Sequence, residues 1–136
     1  MSQNAVDVVC ELVNQWNRHD AARAASLLAE DVEYWDVTRP KAFQGRIEVR
    51  EFFESFFDAF PDLNFVILSL FAAGERVACE WQMRGTQEKE LQGINALGKS
   101  IDITGASICT VRDGEIVRQV DYWDSGTMMR QLGPFA

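Results

Sequence analysis

The chain has 136 residues with 47% apolar and 25% charged side chains, which predicts one globular domain over residues 1–136 and excludes a disordered chain. Its formal charge of −8 repels phosphate, so we expect neither nucleic acid nor a membrane as a partner. Three cysteines without metal-ligand spacing and a single histidine argue against a transition-metal site, and we expect no metal and no cofactor.

The opening segment, MSQNAVDVV, has no basic region. No apolar run of the chain approaches the roughly 18 residues of a membrane span. We therefore expect a cytoplasmic protein, in which Cys10, Cys79 and Cys109 are small buried thiols.

Three stretches of the first half predict helices. The first stretch ends near Arg18-His19, and its apolar residues recur at helical spacing. These residues are Val6, Val9, Cys10, Val13 and Trp16. Asp20 then suits the N-cap of a second helix, Ala21–Leu28, which is rich in Ala and Leu. The third helix, Arg46–Phe60, places its phenylalanines on one broad face and stops before Pro61.

Segments rich in β-branched and aromatic residues predict the strands. They are Asp31–Asp36, Asn64–Phe71, Arg76–Arg84, Ser100–Val111 and Glu115–Trp123. The short polar connections at 73–75 and 112–114 contain glycine and predict antiparallel hairpins. The longer connection 85–98 has the length of a lid over a binding site.

The order of these elements predicts an α+β fold with the helices on one side of a bent, mainly antiparallel sheet. Gly105, in the middle of a strong strand, marks a bend or a close approach. A last helix covers Asp124–Leu132 and ends at Gly133-Pro134. The many aromatic residues fill a core or line a hydrophobic pocket for a flat apolar ligand.

Short motifs along almost the whole chain point to one family. In chain order they are Phe43-Gln-Gly-Arg46 with Glu51-Phe-Phe, Phe57-Asp-Ala-Phe-Pro-Asp62, Arg76-Val-Ala-Cys-Glu-Trp81, Arg84-Gly-Thr86, Gly93-Ile, Val111-Arg-Asp-Gly-Glu-Ile116, Asp121-Tyr-Trp-Asp124 and Arg130-Gln-Leu-Gly133. On these residues the chain resembles the SnoaL-like polyketide cyclases within the NTF2-like superfamily. The resemblance implies a cone-shaped α+β fold and a homodimer through the sheet, which would cover the polar face of Glu80, Gln82 and Arg84.

The resemblance also implies which residues take part in catalysis. It implies an acid/base carboxylate on the last strand, at Asp121. In these cyclases a histidine on the neighbouring strand faces the pocket, and the matching position here is Ser107. In the related ketosteroid isomerases a base follows the first strand, which matches Asp36, while the two oxyanion donors match Leu12 and Ser107. Because neither donor is present, steroid isomerisation is disfavoured.

Strand alternation sorts the candidate residues by face. Gln119, Asp121 and Trp123 share one face of the last strand. If aromatic residues surround that face, burial raises the pKa of Asp121 toward the range useful for acid/base catalysis. The alternative is a surface acid paired with Arg84 or Arg118.

Several other positions have two interpretations. Ser107 either binds a ligand or satisfies a strand carbonyl. Asp36 either acts with Asp121 as a second acid or forms an ion pair with Arg39. Trp16, Trp81 and Trp123 are either core or cavity wall, and His19 is expected to be an exposed turn residue. The expected ligand contacts are Trp16, Tyr34, Trp35, Phe53, Trp81, Ser107, Gln119 and Trp123.

These observations predict a small cofactor-independent enzyme that cyclises or isomerises a hydrophobic carbonyl compound, with Asp121 moving a proton. A binding protein that sequesters an apolar metabolite is the alternative, favoured by the absence of the histidine at position 107. A hydrolase that opens an epoxide with water held between Asp36 and Asp121 ranks last, because the arginine that should bridge such an acid pair is missing. Substrate identity does not follow from the residues.

Overall fold

The structure is a computed structural model that describes the backbone of residues 2–133 and the side chains of residues 5–133. Within that range the elements are α1 (Ser2–Asn17), α2 (Ala21–Ser26), β1 (Leu28–Asp36), β2 (Phe43–Gln44), α3 (Arg46–Ala59), β3 (Asn64–Ala73), β4 (Arg76–Thr86), β5 (Ser100–Arg112), β6 (Glu115–Tyr122) and α4 (Ser125–Leu132). Gly133 caps α4 as predicted, whereas Pro134 lies outside the described residues. No described helix is long and apolar enough to cross a membrane.

The strands form one mixed sheet in the order β2-β1-β6-β5-β4-β3. Neighbouring strands are antiparallel except β1 and β6, which run parallel. The parallel pair places Asp36 beside Asp121, and the β5–β6 pair places Ser107 on the other side of Asp121. The predicted α+β class and the two hairpins are confirmed, and long-range strand pairing brings together residues that are far apart in the sequence.

Some boundaries differ from the prediction. Helix α2 ends at Ser26, and β1 begins at Leu28 rather than at Asp31. Leu28 pairs with Ile116 of β6, so a long-range sheet contact overrides the helical preference of Ala and Leu. Residues 43–44, expected to be loop, pair with β1 as the short strand β2.

Aromatic side chains pack between the helices and the sheet. The phenylalanine face of α3 is buried as predicted, including Phe52, Phe53, Phe56 and Phe57. Trp16 of α1 meets two of these rings edge-on, with ring centroids 4.8 Å from Phe53 and 4.9 Å from Phe57. Edge-to-face packing of this kind stabilises the interior beyond the area that it buries.

The opposite face of the sheet, called here the outer face, carries polar and apolar side chains. Arg84 and Asp102 form an exposed ion pair there, with 3.3 Å between Nε and Oδ2. Large apolar side chains that are half or more exposed lie on the same face: Val66, Leu68, Phe71 and Tyr122. Several large apolar side chains exposed on one face are a feature of interaction surfaces.

Candidate functional site

A cavity of about 70 Å³ lies between the sheet and the helices α1 and α3. Its apolar wall comes largely from α1, α3, β3 and β4, and includes Trp16, Phe56 and Met83. Strands β1, β5 and β6 contribute polar groups, among them the carboxylates of Asp36 and Asp121. An apolar cavity with a few convergent polar groups is the usual form of a small-molecule site.

Asp121 accepts hydrogen bonds from three side chains in the cavity wall. Ser107 Oγ donates to Oδ1 across 2.6 Å, and Gln119 Nε2 donates to the same oxygen across 2.9 Å. The phenol of Tyr34 donates to Oδ2. Each carboxylate oxygen has two lone pairs, so Oδ2 keeps one that a ligand can use.

The donors around Asp121 are themselves held in orientation. Trp81 Nε1 lies 2.9 Å from Ser107 Oγ. Because an indole N–H can only donate, the Ser107 hydroxyl accepts from Trp81 and gives its own proton to Asp121. Gln119 Nε2 also donates to the Tyr34 hydroxyl oxygen across 3.3 Å. The site is thus a connected network around one carboxylate.

Burial raises the pKa of Asp121, because the carboxylate loses more solvation than the neutral acid does. The three hydrogen bonds that it accepts oppose this rise, while the negative charge of Asp36 adds to it. Desolvation and the charge of Asp121 raise the pKa of Tyr34 well above its usual value, so the phenol stays protonated near neutral pH. An acid with a raised pKa beside a neutral donor is an arrangement suited to proton transfer.

Asp36 is the second carboxylate in the cavity and is 3% exposed. Its Oδ1 accepts from Trp123 Nε1 at 3.0 Å, and from the backbone N–H and hydroxyl of Thr38 at 3.0 and 2.6 Å. Its Oδ2 has no hydrogen-bond partner among the described residues. The alternative ion pair with Arg39 does not form, because that guanidinium lies over the Phe52 ring, 5.2 Å from its centroid.

All the predicted site residues line the cavity except Trp35 and Phe53. Trp35 points to the other face of β1, as alternation requires, and donates to the carbonyl oxygen of Arg39 across 3.0 Å. Phe53 is fully buried against the rings of Trp16 and Tyr34. Phe53 supports the wall from behind and Trp35 faces away from the cavity, and their expected ligand contacts stay predictions.

The arginines considered as alternative partners of Asp121 bind elsewhere. Arg84 and Arg118 form exposed ion pairs with other acids, at 3.3 and 2.8 Å. His19, expected to be exposed, is half-buried because its ring stacks on Phe57 with 4.9 Å between the centroids. Its Nε2 also lies 2.8 Å from a backbone carbonyl oxygen of the neighbouring loop. None of these side chains takes part in the Asp121 network.

Sequence reasoning missed some residues of the site. Thr38 anchors Asp36, and the Asp-x-Thr spacing, typical of a turn closed by its own side chains, was the available signal. Cys79 and Cys109 line the cavity besides being buried. Burial raises the pKa of Cys79 to about 11, so its thiol stays protonated. Among the described residues, no group of three or more His, Cys, Asp or Glu is placed to hold a metal ion.

Comparisons with known proteins agree with this fold. A family model for SnoaL-like polyketide cyclases matches residues 6–132. A candidate SnoaL-like polyketide cyclase from Jannaschia sp. CCS1 superposes with a TM-score of 0.90 at 17% identity, over 99% of this chain and 95% of that one. A candidate polyketide cyclase from Xanthomonas campestris pv. campestris gives a TM-score of 0.89 at 25% identity, over 97% and 98% of the two chains.

A third solved structure, the candidate polyketide cyclase IdmH from Streptomyces antibioticus, has a TM-score of 0.79 at 26% identity, over 96% of this chain and 99% of that one. The comparison with curated protein sequences gave no match. The family model nevertheless covers nearly the whole chain, in agreement with the motifs read from the sequence. The chain belongs to the SnoaL-like polyketide cyclase family.

Proposed function

We propose that the chain is a cyclase- or isomerase-type enzyme that moves a proton on a hydrophobic carbonyl compound, using its own side chains as acid and base. The observation that carries this proposal is Asp121, a carboxylate buried in an apolar cavity with one lone pair of Oδ2 left unused. Burial raises its pKa, which strengthens it as a proton acceptor. The family and the solved relatives support the same class of reaction.

The proposed step begins with a ligand whose carbonyl-bearing end lies against Asp121. Oδ2 takes a proton from the carbon next to the carbonyl, and the electron pair of that C–H bond forms an enolate. Once Oδ2 carries that proton, the Tyr34 phenol, kept neutral by its raised pKa, can turn its own proton from Oδ2 to the enolate oxygen. The enolate carbon then attacks a second carbonyl, which closes a ring and leaves an alkoxide that takes the proton back from Asp121. Alternatively, the enolate takes that proton from Asp121 at a new carbon position, which isomerises the compound.

Asp36 is the proposed second proton-transfer group. It is the register partner of Asp121, it lines the same cavity, and its Oδ2 has no partner among the described residues. Trp123 and Thr38 hold its other oxygen, so the free oxygen has a fixed position. A cavity of about 70 Å³ fits the reacting end of a ligand between the two acids.

Exchange of carbon-bound hydrogen tests the proposal without the natural substrate. Acetophenone, a flat apolar ketone, is incubated with the protein in D2O, and loss of its methyl proton signal is followed by NMR. We expect the protein to accelerate exchange, and Asp121→Asn to lose about 10²-fold or more of that acceleration, because Asn keeps the shape and cannot accept the proton. Asp36→Asn should lose less, since it leaves the first proton acceptor in place.

Asp113→Asn is the matched control, because Asp113 is an exposed acid in a turn with φ 51°, a conformation that Asn tolerates. It should exchange acetophenone like the unaltered protein. If Asp121→Asn stays within a few-fold of that control, Asp121 is not the proton acceptor and the proposed mechanism fails.

The second candidate function is binding of an apolar metabolite without turnover. It is favoured by Ser107, which stands where the related cyclases carry a histidine able to change charge near neutral pH. A tightly bound ligand recovered unchanged, together with no accelerated exchange of acetophenone, would support this alternative. The epoxide-opening hydrolase gains no support, because Arg39 does not bridge the two acids.

We also propose a homodimer formed through the outer face of the sheet. The exposed apolar side chains of Val66, Leu68, Phe71 and Tyr122 support it, since a second copy would remove them from water. The ion pair of Arg84 with Asp102 would then lie at or near the contact.

A further inference from the structure

We propose that Trp81 and Gly105 are positioning residues for Asp121, and that they act through the hydroxyl of Ser107. The inference deepens the proposed function, because it concerns the carboxylate that we take to accept the proton. It also explains how Asp121 is held when a neutral hydroxyl, that of Ser107, stands where the related cyclases carry a histidine. Three strands contribute to the device: β4 supplies the indole, β5 the glycine and the serine, and β6 the carboxylate.

Gly105 provides the space that the indole occupies. Trp81 and Gly105 are register partners on β4 and β5. A Cβ at position 105 would lie 2.4 Å from Cη2 and 2.6 Å from Cζ2 of Trp81, and 2.9 Å from the carbonyl oxygen of Tyr122. Such distances are far inside van der Waals contact, so only glycine lets the indole cross β5 in this position.

Trp81 in turn fixes the direction of the Ser107 hydroxyl. A serine hydroxyl rotates freely and can give its single proton to any acceptor in reach. With the indole N–H 2.9 Å from Oγ, one lone pair of Ser107 is occupied, and the proton is directed at Asp121 Oδ1, 2.6 Å away. The chain of hydrogen bonds therefore runs one way, from Trp81 to Ser107 to Asp121.

The consequence is electrostatic. A hydrogen bond to the carboxylate favours its charged form and opposes the rise in the pKa of Asp121 that burial causes. The other titratable groups that face Asp121 are Tyr34 and Asp36 on β1, Cys79 on β4 and Cys109 on β5, while α1 and α3 face the cavity with apolar side chains. Removing the indole N–H changes none of these groups, so its effect on Asp121 can be measured separately.

The experiment is a ¹³C NMR titration of protein labelled at the aspartate carboxyl carbons, with the Asp121 signal assigned from Asp121→Asn. Ser107→Ala removes one hydrogen bond to the carboxylate, and we expect the midpoint to rise by about one pH unit. Trp81→Phe keeps a ring but removes the N–H, and we expect a rise of roughly 0.3–0.5 pH unit, because the serine still reaches Asp121 but is no longer held in that direction.

Trp35→Phe is the matched control, because it removes an indole N–H that donates to a backbone carbonyl oxygen outside the cavity. Its Asp121 midpoint should equal that of the unaltered protein. A Trp81→Phe midpoint equal to that of this control would overturn the proposal. The titration needs no turnover, so the two proposals can fail separately. The effect of Trp81 on the Asp121 midpoint can be absent while Asp121 is still the proton acceptor. Conversely, Asp121→Asn can keep its exchange activity while Trp81 still shifts the Asp121 midpoint.

Gly105→Ala tests the glycine. We expect the added methyl group to displace the indole, to change the NMR shift of the Trp81 indole N–H, and to raise the Asp121 midpoint as Trp81→Phe does. Added to Trp81→Phe, it should raise the midpoint no further. A Gly105→Ala protein that folds and keeps both the indole shift and the midpoint would overturn the role of Gly105. If Gly105→Ala does not fold, the double variant that combines Gly105→Ala with Trp81→Phe is titrated in its place. An Asp121 midpoint higher than that of Trp81→Phe alone would contradict the proposal.

Discussion

At the scale of the residue, the charge of Asp121 has a cost in stability. Its pKa in the native state is raised by burial, so the native state binds a proton more readily than the unfolded state does. Stability is therefore favoured below the unfolded pKa and is lost as the pH rises toward the raised native pKa, at about 1.4 kcal/mol for each unit of difference. Above the native pKa, the ionised side chain destabilises the fold relative to a neutral one of equal shape.

Asp121→Asn is accordingly expected to gain stability relative to the unaltered protein as the pH rises from acid to neutral. Thermal melting of both proteins at pH 4 and pH 7 measures this, because the contributions of groups that do not interact with Asp121 cancel in the difference. Asp113→Asn, which removes an exposed charge, should show no such trend. A melting-temperature difference that is the same at both pH values would mean that Asp121 is not destabilised by burial.

The residues of the site were largely predictable, but their partners were not. Alternation along β6 correctly grouped Gln119, Asp121 and Trp123, because one face of a strand recurs every second residue. The partners of Asp36 could not be predicted in the same way. Arg39 is near in sequence, whereas Trp123 comes into reach only through the parallel pairing of β1 with β6.

At the scale of the element, α3 is the helix whose packing holds the cavity wall in place. Phe53 is fully buried between Trp16 and Tyr34, and both of those residues line the cavity. Phe53→Ala should lower the free energy of unfolding by about 3–5 kcal/mol, since it removes buried surface and leaves a cavity. Urea denaturation measures the change.

Ile47→Ala is the control on the same helix, because Ile47 is 79% exposed. It should change the free energy of unfolding by less than about 0.5 kcal/mol. Equal losses from the two variants would mean that α3 is stabilised by its helical propensity and not by docking on its phenylalanine face.

The elements were predictable where local signals agreed. The α3 stripe and the two hairpins have clear periodicity and glycine at their turns, where Gly74 and Gly114 have φ of 61° and 77°. The neighbours of Leu28 favour a helix, whereas its pairing with β6 places it in a strand. Strand β2 has only two residues and pairs across a loop, so no periodic pattern could reveal it.

At the scale of the whole molecule, the helices followed by antiparallel strands were enough to predict the α+β class, because short connections leave few ways to join neighbouring strands. The parallel contact between β1 and β6 joins the first and the last strand and has no local signature. That contact brings Asp36 to Asp121. The fold class was thus readable from the sequence, while the acid pair depended on a family resemblance.

Association of two copies depends on apolar burial and on charge repulsion, and only the repulsion is weakened by salt. Exposed apolar side chains on the outer face favour the proposed homodimer, and a charge of −8 on each copy opposes it. Because salt screens the repulsion and leaves apolar burial intact, the dimer fraction should rise with NaCl. Phe71→Glu, which places a charge on a side chain 65% exposed on that face, should give a monomer at all salt concentrations. Ile47→Glu adds the same charge on α3 and should leave the dimer in place. Sedimentation equilibrium at low and high NaCl measures all three proteins, and a monomer in the unaltered protein throughout, or a dimer that survives Phe71→Glu, would contradict an interface through the outer face.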